Sequence, residues 1–217
     1  MNYKFIDIGC CHYSVSSDMF GLNVLGLLVE PVKEFCDVLP NSSTVLVECS
    51  AIAEKDGKTK MNIFLDHNNS PIEYITTDVW RDDKKRTRFF KTRYSECGRS
   101  TLLPFDVLLL RKEWGLPNTE REINTLTLLS LINKYNITSV DYLKIDVEGY
   151  EEIILNQLLD LMRSNKFIVN KQIKFEYNEL SNLDSLDRIK EAIETEFGFT
   201  SRYEKVGLDE DIIMDKV

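Results

Sequence analysis

No Gly-x-Gly occurs anywhere in this chain; its nine glycines stand singly. A turn that cradles a dinucleotide pyrophosphate needs glycines at that spacing, so that the backbone can approach two phosphates. A Tyr-x-x-x-Lys pair is also missing, and together these absences argue against a nicotinamide-dependent oxidoreductase. Cysteine is sparse and odd in number: Cys10, Cys11, Cys36, Cys49 and Cys97 fall at no metal-ligand spacing. That excludes a zinc knuckle and points to reduced thiols in a cytoplasmic setting. Vicinal Cys10 and Cys11 read as small loop residues, since no motif in the sequence supports thiol chemistry. Histidine occurs only as His12 and His67. No apolar stretch approaches the roughly 18 residues of a membrane span, so no membrane partner is expected. The formal charge is −9, which argues against a nucleic-acid partner held on a broad basic face.

What is present suits one α/β domain over residues 1–217, with 43% hydrophobic residues to build a core. Short apolar runs at about 3–8, 23–30, 44–49, 140–146, 171–177, 199–205 and 211–216 read as strands. The run at 61–65 reads as an extension of the third. Tyr150, Ile153, Ile154, Leu158 and Leu161 recur at helical spacing, as do Leu186, Ile189, Ile193 and Phe197 before Gly198. Alternating strands and helices predict a mostly parallel sheet covered on both faces. The first strand starts at about residue 3. The chain therefore reads either as a minimal form of its fold or as a domain cut from, or linked to, a longer protein.

Residues 66–122 break the rhythm and read as a substrate-side insertion. From Arg81 to Arg99 eight basic and three acidic residues give a local +5, which leaves −14 on the rest. Two readings stay open. Arg86, Arg88 and Arg93 hold an anionic acceptor such as a diphosphate-linked or acidic sugar, or the segment is a solvated loop balanced by the acidic body.

The first strand ends in "FIDIGCCHYS", with an acid, Asp7, and a single glycine, Gly9. Glu30 ends the second strand, where an acid can grip a ribose diol. A carboxylate at the first turn suits a cationic, phosphate-free ligand, and both acids together suit S-adenosylmethionine. The plainer reading is that Asp7 caps a turn and Glu30 precedes Pro31 by chance.

"YLKIDVEGYEEIIL" (142–155), with "FIDIG", "VEP" and "EKDG", resembles the FkbM-like family of S-adenosylmethionine-dependent O-methyltransferases. The resemblance covers roughly residues 5–65 and 123–180, and "DIIMDK" is similar to the family's final strand. It implies a Rossmann-like class I methyltransferase fold: a seven-stranded, mostly parallel sheet with helices on both faces and the last strand antiparallel. It also implies a cofactor cradle from Asp7, Gly9 and Cys10, ribose contacts from Glu30, adenine-side contacts near Ser50 and Ala51, and Asp146 and Glu148 facing the reacting centre. Tyr13 stands where a second loop glycine is usual, and Thr127 where an Asp is common.

A sugar hydroxyl is a poor nucleophile at neutral pH, so its proton must be removed by a base or a metal ion. Asp146 and Glu148 follow one strand, Glu176 and Asn178 the next. These carboxylates serve as catalytic candidates, with Asn178 against the substrate. Asp146 and Glu176 are the ligands if a divalent metal is present, although metal dependence is not the favoured reading. In the plainer reading Glu148 caps the next helix and Glu176 bonds a neighbouring backbone. His12 is a further candidate base, and Lys144 is expected to pair with a carboxylate. The Asp146-Val-Glu-Gly turn lacks the proline and aromatic of an Asn/Asp-Pro-Pro-Tyr/Phe motif, which disfavours amino-group targets. The sequence therefore predicts methyl transfer to a carbohydrate or glycan hydroxyl, with a catalytically silent binding or scaffold module as the alternative.

Overall fold

A computed structural model describes residues 1–11, 14–63, 75–81, 84–90, 102, 119–178, 180–206 and 209–217. Strand β1 (Asn2–Ile8) buries Tyr3, Phe5, Ile6 and Ile8, as befits a strand covered on both faces. It pairs in parallel with β2 (Gly26–Val29) on one side and β9 (Ser139–Ile145) on the other. Beyond β2 lies β3 (Val45–Glu48); beyond β9 lie β10 (Ile168–Glu176), β12 (Asp209–Lys216) and β11 (Phe199–Val206), giving the order β11-β12-β10-β9-β1-β2-β3. The last strand, β12, is antiparallel to both neighbours. Direction of growth reverses at β1, so a crevice opens where the connections diverge at the carboxyl edge.

Alternation splits the core. Ile6, Ile8, Leu143, Ile145, Ile173 and Phe175 face α3 (Leu128–Lys134), α4 (Glu151–Arg163) and α5 (Leu183–Phe197). Phe5, Leu28 and Val45 form a second cluster, on which Phe20 of α1 (Val15–Phe20) packs beside Phe5 and Tyr142. Both faces are thus covered, as the alternation predicts.

One expectation needs correction. The run at 61–65 does not extend the third strand. Residues 61–63 lie in β5 (Gly57–Ile63), part of a separate sheet ordered β4-β8-β5, with β4 (Ala51–Ile52) and β8 (Thr119–Leu126). β8 escapes a hydropathy reading because its apolar residues are few; cross-strand pairs Lys58–Glu122 (2.7 Å) and Lys60–Glu120 (2.5 Å) support it instead. β5 and β8 are an antiparallel pair reaching Ile63↔Thr119. Between them in sequence, β6 (Ile75–Arg81) pairs antiparallel with β7 (Lys84–Phe90). Finally, Thr127 is the N-cap of α3, accepting from Ser130 N at 3.1 Å. A carboxylate reaches this turn from Asp56 of the "EKDG" stretch, which accepts from Thr127 N (2.7 Å) and Ser130 Oγ (2.6 Å).

Candidate active site

Register builds the site. Ile8 is level with Val29 and with Ile145, Val29 with Glu48, and Ile145 with Phe175. The next residue on each strand therefore falls in one row along the carboxyl edge: Cys49, Glu30, Gly9, Asp146, Glu176. The ladder continues into it, through Gly9 N to Val29 O (2.9 Å), Glu30 N to Glu48 O (3.0 Å) and Asp146 N to Ile8 O (2.9 Å). Strand spacing of about 4.8 Å makes these residues near neighbours although they lie up to 167 positions apart in the chain.

Gly9 is required at its position. Its φ is +78°, and a Cβ there would lie 1.7 Å from the backbone oxygen of Asp146.

Asp7 lies one layer beneath. It is fully buried, and its Oδ2 accepts from Ser14 Oγ (2.6 Å) and Ser16 N (3.4 Å), while Lys144 Nζ stands 3.5 Å from Oδ1. Ser14 in turn caps α1 by accepting from Ser17 N at 3.0 Å. The expected cofactor contact from the Asp7 side chain is thus corrected: its carboxylate is directed into the protein, where it orders the loop. The Cys10 side chain is also turned inward, with its thiol 3.7 Å from Val29 O, so only its backbone can serve a ligand. Burial alone would lower the Lys144 ammonium, but the carboxylates of Asp146 (2.8 Å) and Asp7 outweigh it and hold it charged.

A pocket open to solvent lies over the row. One wall is apolar, from Val29, Phe35, Ile52 and Met61; Gly9, Glu30, Ser50, Ala51, Asp146 and Tyr150 complete it. Among the described residues, its lining holds two carboxyls and no lysine or arginine. A pyrophosphate would find no counter-charge there. Glu30 is 4% exposed, and its oxygens accept from Cys11 N (2.8 Å) and Val32 N (2.9 Å). Burial pushes its carboxyl up to about 8, against the pull of those two N–H groups. Ser50 lines the pocket with its hydroxyl donated to Glu48 Oε1 (2.8 Å).

At the opposite end Asp146, Glu148 and Glu176 converge, each offering a carboxylate oxygen within 4.8 Å of the others. Asp146 lines the pocket, and Glu176 is 7% exposed. The sequence model of the methyltransferase FkbM domain matches residues 7–213. The chain belongs to the FkbM methyltransferase family. Neither the curated proteins nor the solved structures searched give a significant match. Membership makes the protein a methyltransferase and implies S-adenosylmethionine as its methyl donor. The pocket lining combines apolar side chains with the buried Glu30 and, among the described residues, holds no cation for a phosphate. No helix among the described residues is long and apolar enough to cross a membrane.

Other expected residues fall differently. Asn178 Oδ1 accepts from Leu180 N (2.9 Å), bracing the turn after β10, and Asn178 is not among the residues lining the pocket. His12, His67, Cys97 and Arg93 lie outside the described residues; so do the side chains of Arg86 and Arg88, whose backbone is on β7.

Glu151 is the residue that the sequence reading missed. Glu148 does not cap α4; Glu151, fully buried in its first turn, accepts from Val147 N (2.9 Å), Gly149 N (3.0 Å) and Ser181 Oγ (2.7 Å). It fixes the loop on which Glu148 holds φ +56°. The first acid of "YEE" carried this signal, as a carboxylate in a helix's first turn bonding back to the loop. Glu151→Ala leaves two backbone donors without their acceptor. We expect a loss of about 3 kcal/mol, or roughly 6–12 °C in Tm for a chain of this size. A fall of under 1 °C in thermal denaturation would show that the loop does not depend on Glu151.

Proposed function

We propose that this protein is an S-adenosylmethionine-dependent O-methyltransferase whose acceptor is a hydroxyl of a sugar or glycan. The observation that carries the reading is the convergence of Asp146, Glu148 and Glu176 beside the pocket. Bound S-adenosylmethionine supplies an electrophilic methyl group, and attack on it must come in line from behind. Asp146 accepts the proton of the attacking hydroxyl, a role supported by its place on the pocket lining beside Glu148 and Glu176. Glu148 and Glu176 accept hydrogen bonds from other hydroxyls of the acceptor, which favours a polyol over an apolar alcohol. Lys144 backs Asp146 and keeps its carboxylate in place.

The same three oxygens are a hard-cation donor set. Turnover that survives chelation by EDTA assigns them to proton transfer and sugar binding alone.

Calorimetric titration with S-adenosylhomocysteine, followed by labelled-methyl transfer to a panel of sugars and glycans, tests the proposal. One-site binding without response to NADH is the expected first result. At ligand about 100 times Kd the stabilisation is about 2.7 kcal/mol, roughly 5–11 °C in Tm. Binding with no transfer to any carbohydrate would favour the silent-module alternative.

Affinity should also depend on pH. A ribose diol donates both hydroxyls, so it binds the ionised Glu30 better than the acid. With the carboxyl at about 8 in the free protein, Kd should tighten by up to about tenfold per pH unit from pH 6 towards 8 and then level. The linked sign for folding is the opposite. The folded protein keeps a proton that the unfolded chain releases above about 4.5. Glu30 thus contributes stability that is full below that value and lost as pH rises through about 8. Glu30→Gln should flatten the binding profile; a profile equally steep in that variant assigns the titration to another group.

A further inference from the structure

We propose that β11 is a homodimer interface: the edge strands of two copies of this chain pair antiparallel about Tyr203, joining their large sheets into one. β11 ends the sheet order, with β12 on its inner side. It is eight residues long, and Arg202, Tyr203, Glu204 and Lys205 are all exposed. A long exposed edge is a template for a further strand.

Hydrogen-bond phase decides which backbone groups face outward. In an antiparallel pair the bonds join directly opposed residues, and only alternate pairs make them. Tyr177 N donates to Glu210 O at 2.7 Å, so even-numbered residues of β12 bond to β10 and odd-numbered ones to β11. Opposite Asp211, Ile213 and Asp215 on β11 stand Glu204, Arg202 and Thr200. Val217 N, donating to Gly198 O at 3.1 Å, continues the same phase. The N–H and C=O groups of Ser201, Tyr203 and Lys205 therefore point away from the sheet. Ser201 N agrees with this, since it donates to Glu194 Oε1 of α5 at 2.9 Å.

That phase allows few registers with a second copy, and charge selects one. With Tyr203 opposite Tyr203, Arg202 falls opposite Glu204 of the second copy, and Glu204 opposite its Arg202. These are the non-hydrogen-bonded positions, where side chains approach most closely. The smallest slide that keeps the phase is two residues. It sets Arg202 opposite Arg202 in one direction and Glu204 opposite Glu204 in the other, and like charges so placed repel.

Both side chains lie on the face away from α3, α4 and α5, because they alternate with residues level with the core residues Ile212 and Met214. On that face α1 sits over Phe5 and Tyr142, and α2 (Lys33–Cys36) packs Phe35 against Ala51, Met61 and Ile63. Arg202 meets Asp215 at 3.3 Å and Glu204 meets Lys174 at 2.9 Å, contacts that leave each about half exposed. On the α5 face, Tyr203 is 50% exposed and meets its own copy across the two-fold axis. Lys205 of the second copy falls opposite Ser201, beside the Glu194 carboxylate. Since Ser201 N already has that acceptor, pairing adds Tyr203 N to Tyr203 O and Lys205 N to Ser201 O, each in both directions.

Sedimentation equilibrium on the full chain, from about 1 µM to about 1 mM, tests the proposal. A monomer–dimer equilibrium that weakens as salt is raised is the expected result. Arg202→Glu alters both symmetry-related pairs at once and should weaken dimerisation about tenfold or more. Adding Glu204→Arg should restore it to within about threefold of the parent. A purely structural role predicts the opposite order, since the double variant also loses the attractions to Asp215 and Lys174. Amide exchange followed by NMR then locates the contact: the Tyr203 and Lys205 protons should slow as concentration rises, while Arg202, bonded to β12, should not change. A monomer throughout the concentration range at low salt would overturn the proposal. So would a dimer indifferent to Arg202→Glu, or a Tyr203 amide that exchanges at one rate at every concentration.

Discussion

Replacing Gly9 by alanine should abolish S-adenosylhomocysteine binding and lower stability by about 3 kcal/mol or more, the sum of a backbone-conformation cost and a forced shift of packed backbone. The added Cβ would lie 1.7 Å from Asp146 O and 2.7 Å from Asp146 C, atoms that belong to the adjacent strand and cannot swing aside as a side chain can. Relief requires β1 and β9 to part at the row from which the pocket is built. Gly198→Ala is the control. Its φ is +69°, and nothing lies within 4 Å of its would-be Cβ, so it should cost only about 1 kcal/mol. Thermal denaturation and calorimetry on both variants separate conformational strain from collision. If Gly9→Ala binds ligand normally and melts no lower than Gly198→Ala, close approach is not the reason for glycine at position 9.

Asp146→Asn should retain the fold and bind S-adenosylhomocysteine within about threefold of the parent, yet transfer methyl groups about 10²-fold or more slowly, the scale of a lost general base. The substitution is isosteric. Its backbone N–H still donates to Ile8 O, and its amide oxygen can still accept from Lys144. Lys144 keeps Asp7 as a charged partner at 3.5 Å, so no buried cation is stranded. The proton acceptor alone is removed. Turnover on an acceptor found by the sugar screen, set beside ligand affinity on the same sample, reads the two effects apart. Near-normal turnover would remove Asp146 from proton transfer and pass the role to Glu176, whose Gln variant is the companion measurement.

Much of the site was legible because it falls at strand ends, where local hydropathy and turn residues coincide. Asp7-x-Gly9, Glu30 before Pro31, and Asp146-x-Glu148-Gly149 each close an apolar run. Asp7 was placed correctly and given the wrong neighbour. A sequence shows that an acid ends a strand; which face it takes depends on the serines and lysine that converge on it. Glu151 went unread for the same reason. β8 was hidden differently, since a strand held by Lys58–Glu122 and Lys60–Glu120 carries little apolar periodicity.

By itself the sequence determined the alternating α/β plan, the phosphate-free first turn and the acids available for chemistry. These follow from chain-local physics: the period of buried side chains, the freedom of a glycine, and the residues that end a strand. Only the tertiary structure decided that Cys49, Glu30, Gly9, Asp146 and Glu176 stand in one row. It alone showed that Asp7 and Glu151 brace the site from beneath. Parallel pairing joins strands far apart in the chain. Its register is set by the packing of both faces at once, which no stretch of sequence contains.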